Sequence, residues 1–216
     1  MGADPDREAP FFFAKPRDAL CWQPRGVPMP PATAALHHEV ELALVLRGGG
    51  AALEPEQAEA CIGWAAVAVD LTRRDLQAAA KAAGRPWAMA KGFDHSAPIG
   101  SLVPWAGSGA MADAGITLTV DGGERQAGRL DQMIWAPAEL LSQLSRLVRL
   151  AAGDVVLCGT PSGVGPLEVG AQIEAEIAGL PRLGFTIVAS ERGLLPDSDA
   201  SEPGLSPDGA AGRHGG

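Results

Sequence analysis

The chain has 216 residues, enough for one domain with a sizeable core, and its 46% hydrophobic and 20% charged content is that of a globular protein. A net charge of −9 at pH 7 argues against nucleic acid and against an anionic membrane surface, so an anionic ligand would need cations gathered locally. Cys21, Cys61 and Cys158 are widely spaced and lack any Cys-x-x-Cys pair, no apolar run is long enough for a bilayer, and the first residues lack a signal-peptide pattern; together these point to reduced thiols and a cytoplasmic protein.

Residues 1–9 read as a polar lead-in. Phe11, Phe12 and Phe13 are expected to begin a short buried strand, closed by Lys15 and Pro16. Lys15 is then either a rim residue with a buried stem or a cation at a site mouth. The prolines at 24, 28, 30 and 31 make an extended connection.

Leu36 to Arg47, LHHEVELALVLR, reads as one strand. Alternation sends His38, Val40, Leu42, Leu44 and Leu46 to one face, and His37, Glu39, Glu41, Ala43 and Val45 to the other. Two carboxylates then project side by side into a surface that turns apolar. Such a pair is either a solvated face or shares a cation, and hard divalent ions prefer carboxylate oxygens.

Residues 54–64 read as a helix with Pro55 early, and residues 65–69 as a short strand stopping at Asp70. Thr72 is expected to start the next helix and to cap it with Asp75, which frees Asp70 for a site. Arg73 and Arg74 open that helix, a poor place for cations unless one faces an anion, and Gln77 lies one turn beyond Arg74. Residues 88–104 read as irregular, with Lys91, Asp94, His95 and Ser96 in a polar row.

Residues 116–120 alternate as a strand, Asp121-Gly122-Gly123 signals a hairpin, and residues 124–127 return. Pro137 opens a helix expected to carry Leu140, Leu141, Leu144, Leu147 and Val148 on one side. A buried strand at 155–158 delivers GTPSGVGP, which lacks the Gly-Lys-Ser/Thr ending of a phosphate loop and reads as a turn that places Thr160. Residues 172–178 and 185–189 are closing strands, and residues 191–216, including His214, read as a disordered tail. The fold class is α+β with a strand-dominated core.

LHHEVELALV, AVAVDLTRRDLQ, GRPWAMAKGFDHSAP and GDVVLCGTPSGVGPLEVG together resemble the fumarylacetoacetate hydrolase family over residues 10–190, and within it the bacterial acylpyruvate and fumarylpyruvate hydrolases. The resemblance implies a mixed β-sandwich roll of the fumarylacetoacetase C-terminal type, a homodimer, and Mg²⁺ (or Mn²⁺) held by Glu39, Glu41 and Asp70. It implies that Lys91 is catalytic and faces the substrate, and that Arg74, Gln77, Thr160 and Lys15 help bind a small 2-oxo acid. Lys15 falls in the family's Phe-x-Lys-Pro element. His95 is a further candidate for substrate contact, whereas His37 and His38 are expected to be structural neighbours of a ligand carboxylate.

The family also carries a lid reading Asn-Tyr-x-x-His-x-x-Glu-Met-Gly, whose His and Glu activate water, just ahead of Phe-x-Lys-Pro. Here Met1-Gly2 aligns with the end of that lid. The expectation is a native start upstream of Met1; the alternative is a lidless protein that keeps the metal site without its general base. The resemblance implies hydrolysis of the C–C bond of an acylpyruvate. Oxaloacetate decarboxylation or 2-oxo acid isomerisation on the same site is the second reading, and a metal-binding subunit with little turnover is the third.

Overall fold

The computed structural model describes residues 8–190. The expected tail at 191–216 and most of the lead-in lie outside the described residues. Strands dominate and helices are short, as expected of the α+β class.

The central strand is Val40–Leu46, and all seven of its residues are buried. It is sealed on both edges, by Ile62–Val69 on one side and Val155–Leu157 on the other. The six-stranded sheet continues through Ala97–Ile99 to Leu20–Trp22, with Val103–Pro104 paired to Ile62–Val69. A second sheet runs Gly123–Arg129, Gly115–Val120, Gln172–Ile177, Leu183–Val188, Gly26–Pro28. Leu42, Leu44, Val67 and Val69 from the first sheet meet Leu118, Val120, Ile173 and Phe185 from the second in one core, as two packed sheets require. The other face of the first sheet is lined by small side chains, Ala43, Ala66 and Ala68, with Ile99.

The expected single strand from Leu36 to Arg47 is broken at Glu39. Leu36–His38 belongs to a third small sheet, between Gly165–Leu167 and Thr72–Arg73. Val40 then enters the six-stranded sheet opposite Val69. Both Glu39 and Asp70 therefore sit where a strand pair changes sheet, and the Asp70 amide donates to the Glu39 carbonyl at 2.8 Å.

Several elements differ from expectation. Phe11–Phe13 form no strand; Phe11 is 67% exposed and packs on the Trp87 ring instead. The first long helix is Pro55–Cys61, because Ile62 already pairs in the sheet. Thr72 lies in a strand rather than capping a helix, and the helix begins at Arg74 with no side-chain cap. Residues 88–104 are not wholly irregular: Ala88–Lys91 is one helical turn that delivers Lys91. Pro137–Ser145 ends before Leu147 and Val148, which are exposed. Among the described residues no helix is long and apolar enough to cross a membrane.

Candidate metal centre

Glu39, Glu41 and Asp70 each turn a carboxylate oxygen to a common point, with these atoms within 4.8 Å of one another. All three side chains are buried. Three carboxylates so close and so dry repel one another unless cations sit among them. Lys91, only 2% exposed, supplies one: its Nζ donates to Glu39 Oε2 at 2.8 Å, to Asp70 Oδ2 at 2.6 Å and to Thr72 Oγ1 at 2.6 Å. All three ammonium donors are thereby used. Thr72, expected as a helix cap, is instead an anchor for Lys91.

Lys15 lies behind Asp70. Its Nζ is 2.8 Å from Asp70 Oδ1 and donates to the carbonyls of Lys91 and Ser96 and to Ser96 Oγ. Burial is the main reason its pKa is lowered, with the Asp70 charge opposing. Arg74 pairs with Glu39 Oε1 and donates to Gln77 Oε1, so the two residues expected one helical turn apart do share a face. Arg73 points elsewhere, its guanidinium 4.4 Å from the centre of the Phe93 ring.

Glu41 differs from its two neighbours. Lys and Arg pair with Glu39 and Asp70, but among the described residues no cation forms an ion pair with Glu41. Among the described residues its one hydrogen bond is from the Gly159 amide to Oε2, at 2.6 Å. Burial, and next the Asp70 charge, push its carboxyl well above the usual carboxylate range. Asp70 Oδ1 is also buried without an aligned hydrogen bond. An all-oxygen donor set with an unpaired acid and an unfilled lone pair is what a hard divalent cation satisfies, so the residues present fit Mg²⁺ or Mn²⁺.

Beyond Glu41 the turn at Gly159–Thr160 opens on a cavity of ≈ 450 Å³, lined by Leu42, Ile116, Met133, Trp135 and Cys158 among others. Burial raises the Cys158 thiol far above its ordinary value, so it remains protonated. Gly163 is a true constraint of this turn: its φ is +100°, and a Cβ there would lie 2.1 Å from the Arg125 carbonyl oxygen.

Thr160 accepts a hydrogen bond at 2.8 Å from Gln126, a residue that nothing in the sequence pattern singles out. Gln126 is 1% exposed and sits in a hairpin strand at a bulge, where alternation gives no sign that one amide turns inward. His38 bonds Gln126 Oε1 rather than a carboxylate, and His37 Nδ1 is buried with no partner among the described residues; burial lowers the pKa of both imidazoles. His95 is exposed in a left-handed turn with φ +59°, and no hydrogen bond or ion pair joins its side chain to the cluster. The structure thus brings Glu39, Glu41, Asp70, Lys91, Lys15, Arg74 and Gln77 together, and sets Thr160 in a cavity joined to them through the Gly159 amide on Glu41; the exposed His95 side chain makes no hydrogen bond or ion pair with them.

Residues 2–188 match the family described as fumarylacetoacetate (FAA) hydrolase, C-terminal. A solved structure of fumarylpyruvate hydrolase from Pseudomonas aeruginosa, in complex with Mn²⁺ and pyruvate, is 44% identical with a TM-score of 0.82, covering 88% of this chain and 83% of that one. A mitochondrial oxaloacetate tautomerase of Arabidopsis thaliana is 43% identical over 188 residues, 87% of this chain and 82% of the relative. An oxaloacetate tautomerase of Escherichia coli is 39% identical over 173 residues, 80% of this chain and 79% of the relative.

Proposed function

Because this chain belongs to the fumarylacetoacetate hydrolase family, we propose that it is a metal-dependent hydrolase that cleaves the C–C bond of an acylpyruvate such as fumarylpyruvate. The products are pyruvate and a carboxylic acid. The observation that carries this reading is the buried triad of Glu39, Glu41 and Asp70 with the Lys91 ammonium among them. The neighbouring structure that holds Mn²⁺ and pyruvate supports it. Glu39, Glu41 and Asp70 would hold the ion, Mg²⁺ in the leading reading and Mn²⁺ in the alternative. When bound, the ion supplies Lewis-acid polarisation of a 2-oxo group.

The chain's own residues do the rest. Arg74 and Gln77 orient the substrate, and the Thr160 hydroxyl donates to one of its oxygens. Lys15 holds Asp70 and the Lys91 carbonyl in place. Water adds to the distal carbonyl, and the bond to the pyruvate methylene breaks. Its electron pair stays with the pyruvate half as an enolate, which then takes up a proton. The Lys91 ammonium stabilises that developing negative charge. The general base for the water belongs, on this reading, to the segment that the family carries ahead of the Phe-x-Lys-Pro element. The enzyme is read as a cytoplasmic homodimer. Support for the dimer is the apolar face of the six-stranded sheet, where Trp22 is 45% and Trp64 40% exposed.

The second reading is tautomerisation or decarboxylation of oxaloacetate. The relatives with tautomerase names favour it. It needs the same 2-oxo acid contacts and no activated water. The test follows pyruvate release from fumarylpyruvate with Mg²⁺ or Mn²⁺, and the enol absorbance of oxaloacetate. Both assays use the chain as given and the chain extended upstream. Pyruvate release abolished by chelator and by Asp70→Asn is the expected result. If neither form releases pyruvate while oxaloacetate tautomerises, the hydrolase reading fails and the second one stands.

A further inference from the structure

The buried amide of Gln126 has all four of its hydrogen-bonding positions filled. Oε1 accepts from the Val40 amide at 3.0 Å and lies 2.9 Å from His38 Nδ1. Nε2 donates to the Pro161 carbonyl at 2.9 Å and to Thr160 Oγ1 at 2.8 Å. Two of these partners are main-chain groups whose polarity cannot change: the Val40 N–H can only donate, and the Pro161 C=O can only accept. They decide which end of the amide is oxygen and which is nitrogen, a choice that side-chain partners alone would leave open.

From that fixed amide we infer that Gln126 is a positioning residue that sets the direction of the Thr160 hydroxyl. Thr160 Oγ1 must accept from Nε2, so its single O–H proton is left to donate elsewhere. Among the described residues it donates to none, and Thr160 lines a cavity together with Gly159, whose amide donates to Glu41. The hydroxyl is thereby held as a donor for an oxygen that only accepts, such as the carboxylate, keto or enolate oxygen of a 2-oxo acid. The same amide makes His38 carry its proton on Nδ1. Gln126 also ties the Thr160 turn to Val40, the residue after Glu39, so one side chain couples the substrate-facing turn to the metal-ligand strand. This inference rests on the proposed 2-oxo acid site for its ligand, though not for the amide geometry.

The experiment has two readouts. The first is oxalate affinity by calorimetry in the presence of Mn²⁺, for wild type, Gln126→Glu, Thr160→Val and the double variant. A carboxylate at 126 turns the Thr160 hydroxyl toward itself. The loss expected is about tenfold to a hundredfold, the worth of a hydrogen bond to a charged group. Thr160→Val is expected to lose a similar factor, and Gln126→Glu to cost less than about threefold in its presence. An equal cost in both backgrounds means a merely structural amide and overturns the proposal. The second readout is the ¹⁵N spectrum of neutral His38 in the metal-free wild-type protein, which needs no variant to fold. A proton on Nδ1 is expected; a proton on Nε2 overturns the assigned amide direction. Failure of wild type to bind oxalate with Mn²⁺ would sink the functional reading, and the His38 spectrum would still decide the amide direction.

Discussion

Glu41 is the side chain on which the chemistry of the cluster turns. Without a metal it is a buried acid with one amide hydrogen bond, and its pKa is raised from 4.5 by burial and by Asp70. The folded state therefore holds a proton that the unfolded chain releases once pH passes 4.5. Between that value and the raised folded value the native state binds more protons, so stability falls as pH rises. Urea midpoints of metal-free protein across that window are expected to decline, and Glu41→Gln to flatten the decline. A bound divalent ion replaces the proton, so metal affinity is expected to rise over the same window. Lys91 is the complementary case. Lys91→Met leaves Glu39 and Asp70 buried without their shared cation, and the expected cost is about 3–5 kcal/mol in urea denaturation of the metal-free protein. Excess Mn²⁺ is expected to recover part of that loss. Glu39 and Glu41 stand out in the sequence as two carboxylates on one face of an apolar strand, and the family resemblance of the surrounding motifs is what singles out Asp70 and Lys91 beside them. Gln126 does not stand out, since an uncharged amide in a hairpin resembles any solvated strand residue.

The element that assembles the site is the sheet change at Glu39 rather than an alternating strand. Strict alternation would place Glu39 and Glu41 on one face and say nothing of Asp70. The break lets Glu39 leave one sheet as Asp70 leaves its partner strand, and their backbone hydrogen bond brings the two carboxylates together. Opposite Glu41 stands Ala68, with Ala66 opposite Ala43, so small side chains flank the carboxylate on this face. The turn after Val155–Leu157 is the second device. Gly163→Ala would meet the Arg125 carbonyl at 2.1 Å in a left-handed conformation. Backbone strain alone is about 1–3 kcal/mol. A lower melting temperature and a displaced Thr160 are expected, read as weaker 2-oxo acid binding. The glycines themselves are legible as a turn; the Arg125 contact that makes one of them obligatory joins segments far apart in the chain.

At the scale of the whole molecule, ion binding and folding are coupled, because the triad draws on strand ends that only the folded chain gathers. Mn²⁺ or Mg²⁺ at one hundred times its dissociation constant is expected to stabilise the protein by about 2.7 kcal/mol, and EDTA to reverse the gain. The exposed tryptophans of the six-stranded sheet make a second expectation. If the proposed dimer forms through this face, Trp64→Glu is expected to leave only monomer in light scattering, with the carboxylate cluster intact. Alternating strands and glycine turns sufficed for the fold class, and the likeness of four motifs to a known family pointed to the three acidic side chains and the basic residues around them. The fold class follows from local chemistry, apolar periodicity and glycine turns. What needed the folded chain was the break at Glu39, the anchoring of Lys91 on Thr72, and the pinning of Thr160 by Gln126. Each is a contact between residues distant in sequence, and pattern along a chain carries no information about which distant partner satisfies a buried polar group.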